Sequence, residues 1–148
     1  MIRKITNNDR ELYCAMASEF YSTDAVLFNI PKKNIEATFE EMMRSEQYAI
    51  GYILEHEGET AGYALLAKTF SQEAGGLVIW IEELYVLPAF RSKGLGQEFF
   101  RFLEETNKAD IARIRLEVED ENEGAIALYE RMGFERLEYS QMIKPISR

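Results

Sequence analysis

Residues 86–96 read Val86-Leu87-Pro88-Ala89-Phe90-Arg91-Ser92-Lys93-Gly94-Leu95-Gly96, an apolar strand end that runs through a basic, glycine-containing turn into the segment Gln97 to Thr106. In that segment Leu95, Phe99, Phe102 and Leu103 recur at helical spacing and share one face, while Glu98, Arg101 and Glu105 lie elsewhere. A helix that starts here points its first N–H groups outward, and its dipole favours an anion at that end. Two glycines let the backbone turn tightly and approach a ligand, and Arg91 and Lys93 add mobile positive charge. The junction therefore reads as a phosphate cradle between a strand and a helix whose apolar face packs on a sheet.

The nucleotide motifs do not fit it. GxxxxGK[ST] is absent, and a GxGxxG fingerprint meets Phe99 at its third glycine. RxxGxG alone is also compatible with an ordinary basic strand-to-helix turn. The context that decides lies downstream, where Ile111 to Val118 reads as another strand and is followed by Asn122-Glu123-Gly124-Ala125-Ile126-Ala127-Leu128-Tyr129-Glu130-Arg131-Met132-Gly133-Phe134. A V-x-P-x-x-R-x-x-G-x-G segment followed by an N-x(6)-Y-x-x-x-G-F segment resembles the GCN5-related N-acetyltransferases, the acetyl-coenzyme A-dependent family. The strong match covers Ile79 to Phe134.

At 148 residues, with 47% hydrophobic and 12% aromatic content, the chain suits one globular domain, 1–148. The N-terminus lacks the apolar run of a signal peptide and no segment reaches membrane-spanning length, so a cytoplasmic location without membrane association is expected. Cys14 has no partner for an internal disulfide and reads as a small buried hydrophobe; His56 sits in a hairpin turn with no second ligand nearby, so no metal site is expected. A net charge of −9 argues against a nucleic-acid surface, which must offset phosphate with clustered Lys and Arg. The same acidity is compatible with a cationic acceptor and with simple solubility.

Along the chain, Arg3 to Thr6 is a candidate first strand, and Asn8 or Asp9 can cap a helix with Leu12, Met16 and Phe20 on one face, ending near Tyr21. Ile30-Pro31 interrupts the pattern, and Lys32 to Arg44 resumes it. Gln47 to Glu55 and Thr60 to Phe70 flank the Gly58 turn as a hairpin, and Gly75-Gly76 precedes the long strand Leu77 to Leu87. After the final helix, Glu123 to Met132, Gly133 suits a left-handed cap and Phe134 to Ile143 is expected to supply terminal strands. The layout is α/β, a twisted sheet with helices on both faces.

The resemblance implies more: a mixed sheet of six to seven strands in which Leu77 to Leu87 and Ile111 to Val118 run parallel and splay apart, admitting the pantetheine arm of acetyl-coenzyme A. It implies main-chain contacts to pantetheine from Leu84, Tyr85 and Val86, a pyrophosphate cradle of Arg91, Ser92, Lys93, Gly94, Leu95, Gly96 and Gln97, and Asn122 near the acetyl end. Tyr129 matches the family's general acid, which protonates the departing thiolate and also touches the coenzyme; packing with Ala125, Leu128 and Met132 is its structural alternative. The strand Ile81-Glu82-Glu83-Leu84-Tyr85-Val86 resembles that of polyamine acetyltransferases, with Glu82 as base and Glu83 as a substrate-binding charge. Strand alternation sends these two side chains to opposite faces unless a bulge intervenes. The expected activity is N-acetylation of a primary amine, small and polyamine-like; acetylation of a protein N-terminus or lysine, and a non-catalytic coenzyme-binding module, are the alternatives. Relatives also imply a possible homodimer through Glu138 to Ile143.

Overall fold

The computed structural model describes residues 1–24, 26–107 and 109–147. The chain divides into two compact units, Met1–Glu117 and Val118–Arg148.

The larger unit is built on a five-stranded sheet in the order β1-β2-β3-β4-β5. Its strands are β1 (Ile2–Lys4), β2 (Ala49–His56), β3 (Glu59–Ser71), β4 (Gly76–Val86) and β5 (Ile111–Leu116). The β2–β3 hairpin turns at Glu57 and Gly58, with φ of 51° and 80°, the left-handed pair that a two-residue hairpin turn requires. The first four strands pair antiparallel and β4 pairs with β5 in parallel, the connection running through helix α3 (Leu95–Asn107).

Helices α1 (Arg10–Phe20) and α2 (Lys32–Arg44) bury their apolar stripes on one face of the sheet. Tyr13, Met16, Ile35, Phe39 and Met42 join Ile53, Tyr63, Leu65 and Tyr85 in a single core cluster. The other face carries α3, whose Phe99 and Phe102 rings lie 6.0 and 5.3 Å from the Tyr52 ring. A short 3-10 turn at Asn7–Asp9 leads into α1. There Asp9 accepts two bonds from the Arg3 guanidinium, at 2.8 and 2.9 Å, and one from the Thr6 N–H at 2.8 Å. Asp9 thus ties β1 to the start of α1 in place of capping the helix with its side chain.

The smaller unit holds α4 (Glu123–Arg131). Asn122 caps its start by accepting from the Ala125 N–H at 3.3 Å.

The strand count departs from expectation: five strands form among the described residues, against six to seven, and Phe134 to Ile143 is irregular. A strand exists only as one side of a ladder, and no ladder among the described residues includes Phe134 to Ile143. Tyr139, Met142 and Ile143 are exposed accordingly. No helix among the described residues is long and apolar enough to cross a membrane.

Candidate active site

Pairing between β4 and β5 covers Leu77 to Ile81 on β4 and stops there, with β5 ending at Leu116. Glu83 to Val86 keep their β3 partners, while beyond Ile81 no strand among the described residues pairs with β4 on its other side. The parallel pair therefore opens at the stretch where pantetheine contacts by Leu84, Tyr85 and Val86 are expected, since an extended arm can bond to a free strand edge.

The same point carries an irregularity. Leu65 of β3 pairs with Glu83 and the next residue, Leu66, pairs with Ile81, so Glu82 is an inserted residue with no ladder partner. Cross-strand partners share a face, and Leu65 and Leu66 point oppositely, so Ile81 and Glu83 also face opposite ways. In a regular strand they would share one. The bulge thereby turns Glu83, with Tyr85, toward α1 and α2, and leaves Glu82 exposed.

The two carboxylates meet different surroundings. Glu83 is 8% exposed, and each of its oxygens is taken: Tyr63 Oη donates to Oε1 at 2.6 Å and Tyr21 Oη donates to Oε2 at 2.7 Å. Burial pushes its carboxyl above the ordinary range, and the two tyrosine bonds work against that by stabilising the charge. Glu82 keeps an open path to water, yet the protein around it raises its carboxyl too, with the negative charges of Glu117 and Glu83 adding to the effect. The phenol of Tyr63, with no exposed surface, is driven far up by burial and the adjacent Glu83 charge, so it stays a proton donor.

Sequence reasoning missed Tyr21 and Tyr63 as partners of Glu83. Both are one aromatic among many in an apolar pattern, and only the bulge, which no residue pattern announces, brings Glu83 to them.

The basic turn is laid out as a cradle. Arg91, Ser92, Lys93 and Gly94 are exposed, and Ser92 and Gly94 adopt φ of 62° and 79°. Left-handed backbone at such a turn aims successive N–H groups at one point, where an anion binds. Gly94 O accepts from Glu98 N at 3.0 Å, which begins α3, and the buried Leu95 anchors that first turn while Gly96 and Gln97 remain partly exposed. The first N–H groups of α3 have no acceptor within the helix. Arg91 lies along the β4 end: its Nε donates to Val86 O at 3.1 Å and its guanidinium stands 5.9 Å from the centre of the Tyr85 ring. These features suit the diphosphate of a coenzyme A: exposed main-chain donors, two cationic side chains and a helix start in one turn.

In the smaller unit, Tyr129 is partly exposed, and burial raises its phenol above the ordinary range, so it holds its proton at neutral pH. Gly133 sits at φ 94° and closes α4, with Phe134 N donating to Tyr129 O and Gly133 N to Glu130 O, each at 3.0 Å. The glycine of the Y-x-x-x-G-F segment is the residue that this cap requires.

Comparison with known proteins agrees with this architecture. The model of the acetyltransferase (GNAT) family matches residues 11–134. The uncharacterized N-acetyltransferase YjgM of Escherichia coli is 32% identical over 90 residues, covering 60% of this chain and 53% of that protein. The uncharacterized N-acetyltransferase MJ1207 of Methanocaldococcus jannaschii is 27% identical over 151 residues, covering 98% of this chain and 66% of that protein. The chain thus spans between half and two thirds of the length of these relatives. Among solved structures, a possible acetyltransferase from Clostridium difficile superposes with a TM-score of 0.84 at 18% identity, covering 100% of this chain and 98% of that one. The structure of AAC(6')-Iy with a coenzyme A–acetylneamine bisubstrate analogue does so with 0.79 at 18% identity, covering 99% and 98%. The chain belongs to the acetyltransferase (GNAT) family.

Proposed function

We propose that this protein transfers an acetyl group from acetyl-coenzyme A to a primary amine, with a small polyamine-like molecule as the favoured acceptor. The observation that carries the reading is the opening of β4 from β5 at Ile81, which leaves the β5 side of the Leu84 to Val86 stretch without a strand partner beside an anion-binding turn. The arm and the diphosphate of one coenzyme molecule need those two features together. A neighbouring fold that binds a coenzyme A–acetylneamine analogue supports an amine as the second substrate.

Attack on a thioester requires a neutral amine, a polarised carbonyl and a proton for the departing thiolate. Alkyl amines are mostly protonated at neutral pH. Glu82, open to water and with a raised carboxyl pKa, takes the proton directly or through a water molecule as the amine nitrogen attacks the thioester carbon. A main-chain N–H of the β4 edge, that of Val86, polarises the carbonyl oxygen. Tyr129, which keeps its phenolic proton, delivers it to the sulfur as the carbon–sulfur bond breaks. Asn122 would touch the coenzyme near its acetyl end, and the buried negative charge at Glu83 favours a cationic acceptor over a neutral one.

The test is thiol release from acetyl-coenzyme A in the presence of spermidine, neamine, free amino acids and short peptides. Turnover with small amines is expected. Turnover confined to peptides would move the acceptor to protein termini or lysines, and coenzyme binding without any turnover would make the protein a binding module.

A further inference from the structure

The buried carboxylate beside the bulge raises a problem that the reaction scheme does not solve. Glu83 is central and aimed at the α1 side, yet at 8% exposure it offers little surface to an outside molecule, and Tyr63 and Tyr21 each donate to one of its oxygens. Of these two phenols, Tyr63 has no exposed surface, whereas Tyr21 is partly exposed. Tyr21 ends α1 and opens the connection to α2, so it stands between Glu83 and solvent.

A phenol carries one proton. The Tyr21 proton is committed to Glu83, so the oxygen offers only lone pairs to anything that approaches. Donation to a carboxylate also polarises that oxygen and makes it a stronger acceptor. The charge of Glu82 acts on the same phenol, so both carboxylates of the bulge increase its negative character. Tyr85 is 4% exposed, and its hydroxyl has no partner within hydrogen-bond distance among the described residues, although Glu19 and the Arg91 guanidinium lie close enough to act on it. Phe20 bridges the two tyrosines, 5.2 Å from the Tyr21 ring and 5.8 Å from that of Tyr85.

We propose that the Tyr21 hydroxyl is the group that binds an N–H of the acceptor amine, with Glu83 supplying negative charge behind it. This rests on the amine-acetyltransferase reading above and names the residue that selects for an amine. An acceptor with N–H groups, cationic or neutral, gives Tyr21 a donor. A carboxylate or a carbonyl oxygen in that place meets lone pairs and is rejected. Glu83 acts through Tyr21 and is a positioning residue.

Steady-state kinetics with spermidine and neamine, on the wild-type protein, Tyr21→Phe, Glu83→Gln and the double variant, tests this. Tyr21→Phe is expected to raise KM for the amine about tenfold, with kcat changed less than threefold and coenzyme A affinity unchanged. Glu83→Gln is expected to raise the same KM, and the double variant to be no worse than Tyr21→Phe alone, because the charge reaches the substrate only through the phenol. Coenzyme A affinity and the melting temperature serve as folding controls, and if Glu83→Gln does not fold, Tyr21→Phe decides. An unchanged amine KM in Tyr21→Phe, or KM effects that multiply in the double variant, would overturn the inference while turnover by the wild type left the acetyltransferase reading intact. Absence of wild-type turnover with both amines would overturn that reading and this one with it.

Discussion

Phe134 donates its N–H to the Tyr129 carbonyl at 3.0 Å, and its ring centre lies 5.9 Å from that of the Tyr129 phenol. One residue thus closes the α4 carboxyl end and packs beside the proposed acid. Tyr129→Phe keeps both contacts and removes the hydroxyl that would donate the proton. It should cost about 10²-fold or more in kcat, with coenzyme A affinity unchanged, measured by single-turnover kinetics and calorimetry. Equal activity in this variant would remove Tyr129 from the reaction.

The raised carboxyl of Glu82 fixes the sign of a pH effect. A base must be ionised to act, so kcat/KM should fall on the acid side with a midpoint above the ordinary glutamate value of about 4.5. Glu82→Gln should lose that limb together with about 10²-fold in rate. A limb that persists unchanged in the variant assigns it to another group.

Gly62 of β3 lies against the backbone of β4: a Cβ there would stand 2.0 Å from Tyr85 O. That is backbone, which cannot rotate away. Gly62→Ala should destabilise the fold by about 3 kcal/mol in urea unfolding, and should disturb coenzyme binding through the displaced Tyr85. A near-wild-type denaturation midpoint contradicts this.

Arg91 and Lys93 are exposed, and Arg91 is also held to the β4 end by its bond to Val86 O, so each should contribute mainly charge. Replacing either with alanine is expected to weaken coenzyme A binding by about tenfold at low salt, with less effect at high salt. Gly94→Val should weaken binding more, since φ of 79° is unfavourable for a branched side chain. Titration by calorimetry at two ionic strengths distinguishes the contributions.

Asp9 is held down to about 2 from 3.8 by the Arg3 guanidinium, with the Thr6 bonds assisting. A depressed folded-state value stabilises the protein above the unfolded value and stops doing so as pH falls toward about 2. Asp9→Asn should therefore cost about 2 kcal/mol at pH 7, and the gap to wild type should narrow between about pH 4 and 2. A pH-independent gap in thermal melts would show that packing, not charge, accounts for the loss.

Much of the frame was legible because local chemistry and global packing agree in it. The helix Lys32–Arg44 ends where its apolar period ends, and the Gly58 and Gly133 turns need left-handed backbone that glycine supplies. The cradle could be located because an anion site needs residue types that a plain turn does not. What stayed hidden depends on register. Strand alternation sets Glu82 and Glu83 on opposite faces without saying which face is buried, and their actual surroundings arise from one unpaired position. The terminal strands failed for the opposite reason: Phe134 to Ile143 has strand-like residues, but pairing needs a neighbour that local sequence does not specify.

The position of Glu82 outside the ladder has an unusual corollary. Because Ile81 and Glu83 already oppose consecutive residues of β3, excising the single codon for Glu82 would leave both flanks with the neighbours they have now. The shortened chain would knit into an uninterrupted sheet and keep its fold, while losing the acidic group proposed as the base. A protein of this kind can be disarmed by subtraction, and its architecture need not register the loss.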